Sequence, residues 1–157
     1  MNVTCIWKEN LLFTAQANGH SITMDSKPPL GGDSAMTPKQ LVIAGLCGCT
    51  GMDVAALMKK HKQPLEKLSV EADVTMTEGA QPIVYKSIHL TFKLEGQLDL
   101  DKVRESVLLS QTKFCGVSAV LWKAVPMEYS IEVNGQIIGS GKPEFKSLHI
   151  QMLDMVD

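Results

Sequence analysis

The sequence has no excess of charge of either sign that would indicate a charged partner. Its Lys and Arg residues together number 15 and its Asp and Glu residues 17, which gives a formal net charge of −2 at pH 7. Proteins that bind nucleic acid or acidic membrane surfaces do so through clustered positive charge. The sequence therefore predicts that neither nucleic acid nor a membrane is a partner.

A targeting segment and an uninterrupted apolar run of membrane length are also lacking. The start, MNVTCIWKEN, has no basic region followed by an apolar core, as a signal peptide would. The longest apolar stretch, from Leu41 to Lys60, is interrupted by Thr50 and Asp53, whereas a membrane span needs about 18 or more apolar residues. We therefore expect a cytoplasmic protein, in which cysteines stay mostly reduced and a disulfide is transient, redox-sensing or catalytic.

Aromatic residues are scarce, at 5% of the chain, although the hydrophobic content of 45% is typical of a globular protein. Nine methionines suit either a pliable apolar binding surface or ordinary core packing. The length of 157 residues fits one domain with a substantial core. We therefore treat residues 1–157 as a single domain.

Four regions follow one another along the chain: N-terminal strands and a loop at 1–36, a long central helix at 37–62, strands with a second helical region at 63–139, and a tail of unknown role at 140–157. Thr37 and Gln40 form a capping-box pattern at the helix start. Strands before and after a long helix, without alternating β-α-β units, predict an α+β fold with antiparallel sheets wrapped around that helix.

The four cysteines are each compatible with simple packing, because free cysteine is often a small buried hydrophobe. Cys5, in the first strand, has only that interpretation. Cys47 and Cys49 lie two residues apart on the helix, so they point about 200° apart and cannot share a metal or a disulfide; we expect no metal. Cys115 follows Lys113 at the start of a predicted helix, where free N–H groups favour a thiolate.

Three other residues near these motifs have both a structural and a functional interpretation. Asp53 lies one helical turn after Cys49, where it either makes a structural hydrogen bond or orients a site. Beside a thiolate its charge would raise the pKa of the thiol. Gly31 and Gly32, in the loop KPPLGGDSAM, either form turns or allow the loop to close over a substrate.

Two cysteine motifs occur in a specific order and spacing: PKQL leads into GLCGCTGMDV in the long helix, and LSQTKFCGVS follows later. Together with the preceding loop, MDSKPPLGGDSAMTP, they resemble the OsmC/Ohr superfamily, in its OsmC-like branch. The resemblance covers roughly Asp25 to Val133. It implies an intertwined homodimer with two active sites near the subunit interface.

The resemblance also implies an activity, the thiol-dependent reduction of organic hydroperoxides in oxidative-stress defence. By motif position Cys49 matches the peroxidatic cysteine and Cys115 the resolving cysteine. The implied cycle passes through a sulfenic acid on Cys49 and an intramolecular disulfide. No bound cofactor is implied, because an external dithiol, in some relatives a lipoyl group, resets the pair.

The sequence departs from the best-characterised relatives in the charged pair that activates their thiolate. Arg104, the only arginine, lies in a helix and not in an N-terminal strand, and Lys39 stands where a Glu would follow Pro38. Lys39 or Lys8 can supply charge, but a lysine lacks the planar bidentate fork of arginine. Two alternatives therefore stay open: a dimer that binds a small apolar or thiol-reactive ligand with little turnover, and a redox sensor.

Overall fold

The computed structural model describes residues 1–79 and 81–146. Contacts within the chain group it into two compact units, residues 1–45 and residues 46–157. One helix, Pro38–Lys60, runs through the boundary between them. Most of the tail of unknown role at 140–157, namely residues 147–157, lies outside the described residues.

The N-terminal unit contains a three-stranded antiparallel sheet of β1 (Thr4–Glu9), β2 (Leu12–Ala17) and β3 (His20–Met24). Short turns join the strands, and Asn18 and Gly19, between β2 and β3, both have the positive φ angles of a tight hairpin turn. The packing interpretation of Cys5 is wrong, because the residue is exposed. All six residues of β1 are exposed in this chain, so Cys5 does not pack into a core within the chain.

The long helix α1 (Pro38–Lys60) begins at the predicted capping box. The backbone N–H of Thr37 donates to Oε1 of Gln40 at 2.8 Å, and the Gln40 N–H donates to Oγ1 of Thr37 at 3.3 Å. With 23 residues and a mean hydropathy of 1.8 over its most apolar window, α1 would by length and composition alone suffice to cross a membrane. Central helices of water-soluble domains have the same property, so the absence of a membrane partner stays a prediction.

The C-terminal unit is built on a four-stranded sheet in the order β4-β5-β6-β7, formed by Leu65–Met76, Tyr85–Gly96, Met127–Val133 and Gln136–Gly141. The pairs β4–β5 and β6–β7 are antiparallel, as the predicted fold requires, whereas β5 and β6 are parallel. The parallel pair arises because a helical connection carries the chain back to the start of the sheet before β6 begins. A hairpin turn at Asn134 and Gly135 joins β6 to β7, and both residues have the positive φ that the Asn-Gly pair adopts in such turns.

The core of this unit lies between the sheet and the helices of that connection. Alternate residues of β5 are fully buried, as its period-two pattern predicts: Ile88, Leu90, Phe92 and Leu94. Helix α2 (Leu100–Leu109), capped by the Asp99 side chain, adds Val103 and Val107 from one face. Leu108 is half exposed, since it points about 100° away from Val107 on the helix.

Candidate active site

Helix α2 does not end at Leu109 but widens into a π-helical turn, Ser110–Phe114, before the short helix α3 (Gly116–Leu121) begins. The N–H of Cys115 donates to the carbonyl oxygen of Ser110 at 3.1 Å, the five-residue spacing of a π turn. Cys115 then leaves the helical conformation (φ −71°, ψ 101°) and caps α3, its Sγ accepting the N–H of Ser118 at 3.3 Å. The wide turn therefore fixes where the Cys115 thiol points.

Three of the predicted site residues meet at this point. One donor atom each from Cys49, Asp53 and Cys115 lies within 4.8 Å of the other two. Cys49 and Asp53 come from successive turns of α1, and Cys115 comes from the cap of α3. Cys115 is fully buried, whereas Cys49 and Asp53 keep some exposure, so a reagent in solution reaches Cys49 first.

A chain of buried hydrogen bonds surrounds the three residues. The Ser110 hydroxyl donates to Oδ2 of Asp53 at 3.0 Å. Nε2 of Gln111 lies 3.4 Å from the Ser110 Oγ, and the Ser118 hydroxyl donates to Oε1 of Gln111 at 2.9 Å. Because Ser110, Gln111 and Ser118 are all fully buried, each depends on this network for its hydrogen-bond partners.

Sequence reasoning missed Ser110, Gln111 and Ser118, although all three stand in the motif LSQTKFCGVS. A signal was present in the helical spacing. Ser110 and Gln111 follow the apolar Val107 by three and four residues, which places two polar side chains on the buried face of the helix. Buried polar side chains need partners, so this spacing predicts a polar network.

The electrostatics of the site favour a protonated Cys115. Burial, together with the nearby Cys49 and Asp53, raises the pKa of the Cys115 thiol to about 12, although the Ser118 N–H favours the thiolate and opposes this rise. The expectation that a helix start makes Cys115 a thiolate is therefore wrong, because burial outweighs the dipole of a six-residue helix. Burial likewise raises the pKa of Asp53, against the hydrogen bond from Ser110.

Cys47 has different surroundings from Cys49, as the angle between them predicts. It lines a shallow groove of about 420 Å³ together with residues of α1 and β4: Gly48, Gly51, Met52, Ala55, Leu68 and Val70. Partial burial raises the pKa of the Cys47 thiol. A Cβ on Gly51 would lie 3.4 Å from the Val70 Cγ2, so this glycine lets α1 approach β4 closely.

The single arginine is engaged elsewhere in this unit. Nη1 of Arg104 lies 2.8 Å from the Asp101 carboxylate, and its Nε donates to the carbonyl oxygen of Ile138 at 3.1 Å. Arg104 thus links α2 to β7. In the described part of the C-terminal unit no Lys or Arg forms an ion pair with Asp53.

Gly31 and Gly32 belong to a loop of the N-terminal unit that folds around Asp25. The buried Asp25 carboxylate accepts the N–H groups of Ser26, Gly32 and Ser34 and the hydroxyl of Ser34. These hydrogen bonds lower the pKa of Asp25 to about 2. A Cβ on Gly31 would clash with the carbonyl oxygen of Ser26 and lie 2.7 Å from the Asp25 Oδ1, so this geometry supports the turn interpretation of Gly31.

Lys39 also belongs to the N-terminal unit, in the first turn of α1. Its side chain is exposed. Its supporting role in the site stays a prediction, as does a substrate-closing role for Gly31 and Gly32. Asp25, which sequence reasoning did not single out, holds the loop that carries both glycines.

A cavity of about 990 Å³ lies beside Cys115 in the C-terminal unit. Aromatic side chains and two lysines line part of it: Phe114, Trp122, Phe145, Lys113 and Lys146. The indole Nε1 of Trp122 is buried and has no hydrogen-bond partner among the described residues. The cavity therefore combines apolar walls with lysine side chains, a combination that suits a small ligand with an apolar body and an acceptor group.

Two sheets, a long central helix and a pair of facing thiols define an α+β protein with a dithiol site. A family model for OsmC-like proteins matches residues 31–130, which include both cysteine motifs. The chain belongs to this family. The resemblance noted in the sequence is thereby confirmed, and so is the fold class that it implied, with two sheets and a central helix.

The chain is also similar to individual proteins of known sequence or structure. It is 34% identical to protein YhfA of Escherichia coli strain K12 over 129 residues, which cover 81% of this chain and 93% of YhfA. The crystal structure of an OsmC-like protein from Mycoplasma pneumoniae superposes with a TM-score of 0.74 at 14% identity, over 84% of this chain and 95% of that one. An organic hydroperoxide resistance protein from Elizabethkingia anophelis gives a TM-score of 0.65 at 15% identity, over 84% and 94%.

Proposed function

We propose that the protein is a thiol-dependent peroxidase that reduces organic hydroperoxides. The observation that carries the proposal is the approach of two reduced thiols from different elements, Cys49 on α1 and Cys115 at the cap of α3, within 4.8 Å. Two thiols at this separation can form a disulfide with a small movement. A fold shared with an organic hydroperoxide resistance protein supports the same class of substrate.

The first step takes place on Cys49, the more accessible of the two thiols. Its thiolate attacks the distal oxygen of the hydroperoxide, the O–O bond breaks, and the alcohol leaves after taking up a proton. Cys49 becomes a sulfenic acid, and the peroxide has been reduced by two electrons. The cavity of about 990 Å³ beside Cys115 offers space for the apolar part of such a substrate.

The second step uses Cys115, which burial keeps from competing for the peroxide. Its sulfur attacks the Cys49 sulfenic acid, the S–O bond breaks, and a disulfide and water form. Asp53 offers a carboxylate oxygen within 4.8 Å for the proton of the Cys115 thiol. An external dithiol, a lipoyl group being one candidate, then reduces the disulfide by thiol–disulfide exchange. The chain needs no bound cofactor for this cycle.

The quaternary structure that we propose is a homodimer. Helix α1 has an apolar composition, yet only 28% of its most apolar window is buried within one chain. Met52 is 76% exposed, and large apolar surfaces of this kind mark interfaces. A second copy of the chain covers this helix in the proposal, and we place the protein in the cytoplasm, with no nucleic acid or membrane as a partner.

A second candidate function is favoured by the position of Arg104. This residue is bonded to Asp101 and Ile138, so it is not placed to activate Cys49 as an arginine would in a peroxidase site. A dimer that holds a small apolar or thiol-reactive ligand with little turnover needs the cavity and the thiols but no activating cation.

The experiment that separates the two functions is a single-turnover oxidation. Reduced protein is mixed with one equivalent of cumene hydroperoxide, and the products are identified by peptide mass spectrometry. A peroxidase gives rapid formation of a Cys49–Cys115 disulfide, which is absent in Cys49→Ser and retained in Cys47→Ser, the matched control on the same helix. Slow oxidation spread over all four cysteines would contradict the peroxidase and favour the binding protein.

A further inference from the structure

The two thiols and the carboxylate at the centre of the site also form a set of metal ligands. The prediction of no metal rested on Cys47 and Cys49, which diverge on the helix. The structure pairs Cys49 with Cys115 instead, and their sulfur atoms lie within 4.8 Å of each other and of a carboxylate oxygen of Asp53. In a tetrahedral zinc site with Zn–S bonds near 2.3 Å, neighbouring donors stand about 3.4–3.8 Å apart, so a contraction of about 1 Å would suffice.

The surroundings of these donors match those of protein metal ligands. Ligating carboxylates and thiolates are themselves oriented by hydrogen bonds from outer groups. Here the Ser110 hydroxyl fixes Asp53 at 3.0 Å, and the Ser118 N–H approaches the Cys115 Sγ at 3.3 Å. The buried Gln111 side chain is hydrogen-bonded to both serines. Two of the three donors, the Asp53 carboxylate and the Cys115 thiol, are therefore oriented by hydrogen bonds from neighbouring groups.

The charge of the cluster also favours a bound cation. Three groups that become anionic on deprotonation face one another, and in the described part of the C-terminal unit no Lys or Arg is paired with the carboxylate. A divalent cation would neutralise this charge, and the thiols would release their protons on binding. Two sulfur ligands and one oxygen ligand select a thiophilic ion over Mg²⁺ or Ca²⁺. Partial exposure of Cys49 provides a path for entry.

We propose that the reduced protein binds one Zn²⁺ per chain through Cys49, Cys115 and Asp53, with an open fourth position for water. Zinc in this position would occupy the sulfur that attacks the peroxide and so hold the site inactive until a chelator removes the ion. This binding does not depend on the peroxidase activity, because it requires only the reduced thiols and the carboxylate.

The test is a zinc titration of the reduced full-length protein against a chromophoric chelator, with no peroxide present. One Zn²⁺ per chain is expected, with binding weakened at least tenfold in Cys49→Ser, Cys115→Ser and Asp53→Asn and unchanged in Cys47→Ser. Circular dichroism shows whether each variant is folded. With Co²⁺ as a second probe, a thiolate-to-cobalt charge-transfer band should appear in the wild type and in Cys47→Ser but not in Cys49→Ser.

Two results would overturn the proposal. Unchanged zinc affinity in a folded Cys49→Ser protein would place the ion elsewhere, for instance on the exposed Cys5. Unchanged affinity in Asp53→Asn would show that the carboxylate is not a ligand. Since the peroxide assay is separate, a protein that binds zinc without reducing peroxide, or the reverse, distinguishes failure of one proposal from failure of the other.

Discussion

The Ser110 hydroxyl donates a hydrogen bond of 3.0 Å to the Asp53 carboxylate. This bond joins the π-helical turn to α1, the two elements between which the thiols of Cys115 and Cys49 face each other. Asp53 keeps only part of its exposure to water, and Ser110 is fully buried. The buried Ser110 hydroxyl therefore cannot readily exchange the carboxylate for a water molecule.

Removal of this hydrogen bond should destabilise the fold. In Ser110→Ala the half-buried carboxylate loses its donor, and we expect the free energy of unfolding to fall by about 1–3 kcal/mol. Urea denaturation measures the change. Thr112→Ala is the matched control, because the Thr112 hydroxyl donates to the Leu108 carbonyl at an exposed position, where substitutions cost about 0.5 kcal/mol or less. Equal losses in the two variants would contradict the structural role of the Ser110–Asp53 bond.

The four cysteines should differ sharply in their reaction with iodoacetamide in the native, reduced protein. Cys5 is exposed, whereas Cys115 is fully buried. We therefore expect rapid alkylation of Cys5 and none of Cys115 until denaturant is added, as followed by peptide mass spectrometry. Labelling of Cys115 at the rate of Cys5 would show that the site opens readily. Burial of Cys115 could then not explain why Cys49 reacts with the peroxide first.

Much of the fold was predictable because local signals agree with tertiary structure. The capping box at Thr37 and Gln40 and the Asn134-Gly135 turn are formed by residues close in sequence, whose geometry depends little on the rest of the chain. The alternation in β5 marks one buried face in the same way. The parallel pairing of β5 with β6 was not predictable, because it depends on where the helical connection returns the chain.

The candidate site was predictable only in part, for the same reason. Motif position singled out Cys49 and Cys115, and helical spacing placed Asp53 beside Cys49. The protonated state of Cys115 could not be read from its place at a helix start, because burial by distant residues decides it. The role of Ser110 also depends on a partner, Asp53, that lies 57 residues away in the sequence and that only the folded chain brings near.

The loop around Asp25 should respond to strong acid and not to mild acid. Hydrogen bonds lower the pKa of Asp25 from 3.8 to about 2. Because the pKa is depressed in the folded state, the stabilisation is complete above pH 3.8 and is lost as the pH falls through about 2. The amide chemical shifts of Gly32 and Ser34, which donate to this carboxylate, should titrate with a midpoint near 2. A midpoint near 3.8 would contradict the described hydrogen bonds, and Asp33→Asn, an exposed neighbour, should leave the titration unchanged.

Gly31 should tolerate no side chain, for reasons of space. A Cβ there would clash with the Ser26 carbonyl oxygen and lie 2.7 Å from the Asp25 Oδ1, whereas a Cβ on Gly32 would lie 3.3 Å from Oδ2. Gly31→Ala must therefore displace backbone, and we expect a loss of stability of about 1–3 kcal/mol. Gly32→Ala, the matched control, requires a shift of a few tenths of an ångström and should cost less. Thermal unfolding of both variants shows which substitution costs more stability. A larger loss in Gly32→Ala than in Gly31→Ala would contradict the clash expected at Gly31.

The exposed face of α1 should determine the oligomeric state. Met52 is 76% exposed on this helix, beside the groove that contains Cys47. If a second chain covers this face, Met52→Glu buries an unpaired carboxylate in the interface, and the dissociation constant should rise roughly 30-fold or more. Sedimentation velocity over a concentration series measures it. Leu108→Glu, a charge placed at a half-exposed leucine of α2, is the control and should leave the dimer intact. A wild-type protein that sediments as a monomer at all concentrations would exclude the homodimer, and an unchanged dimer in Met52→Glu would place the interface on another surface.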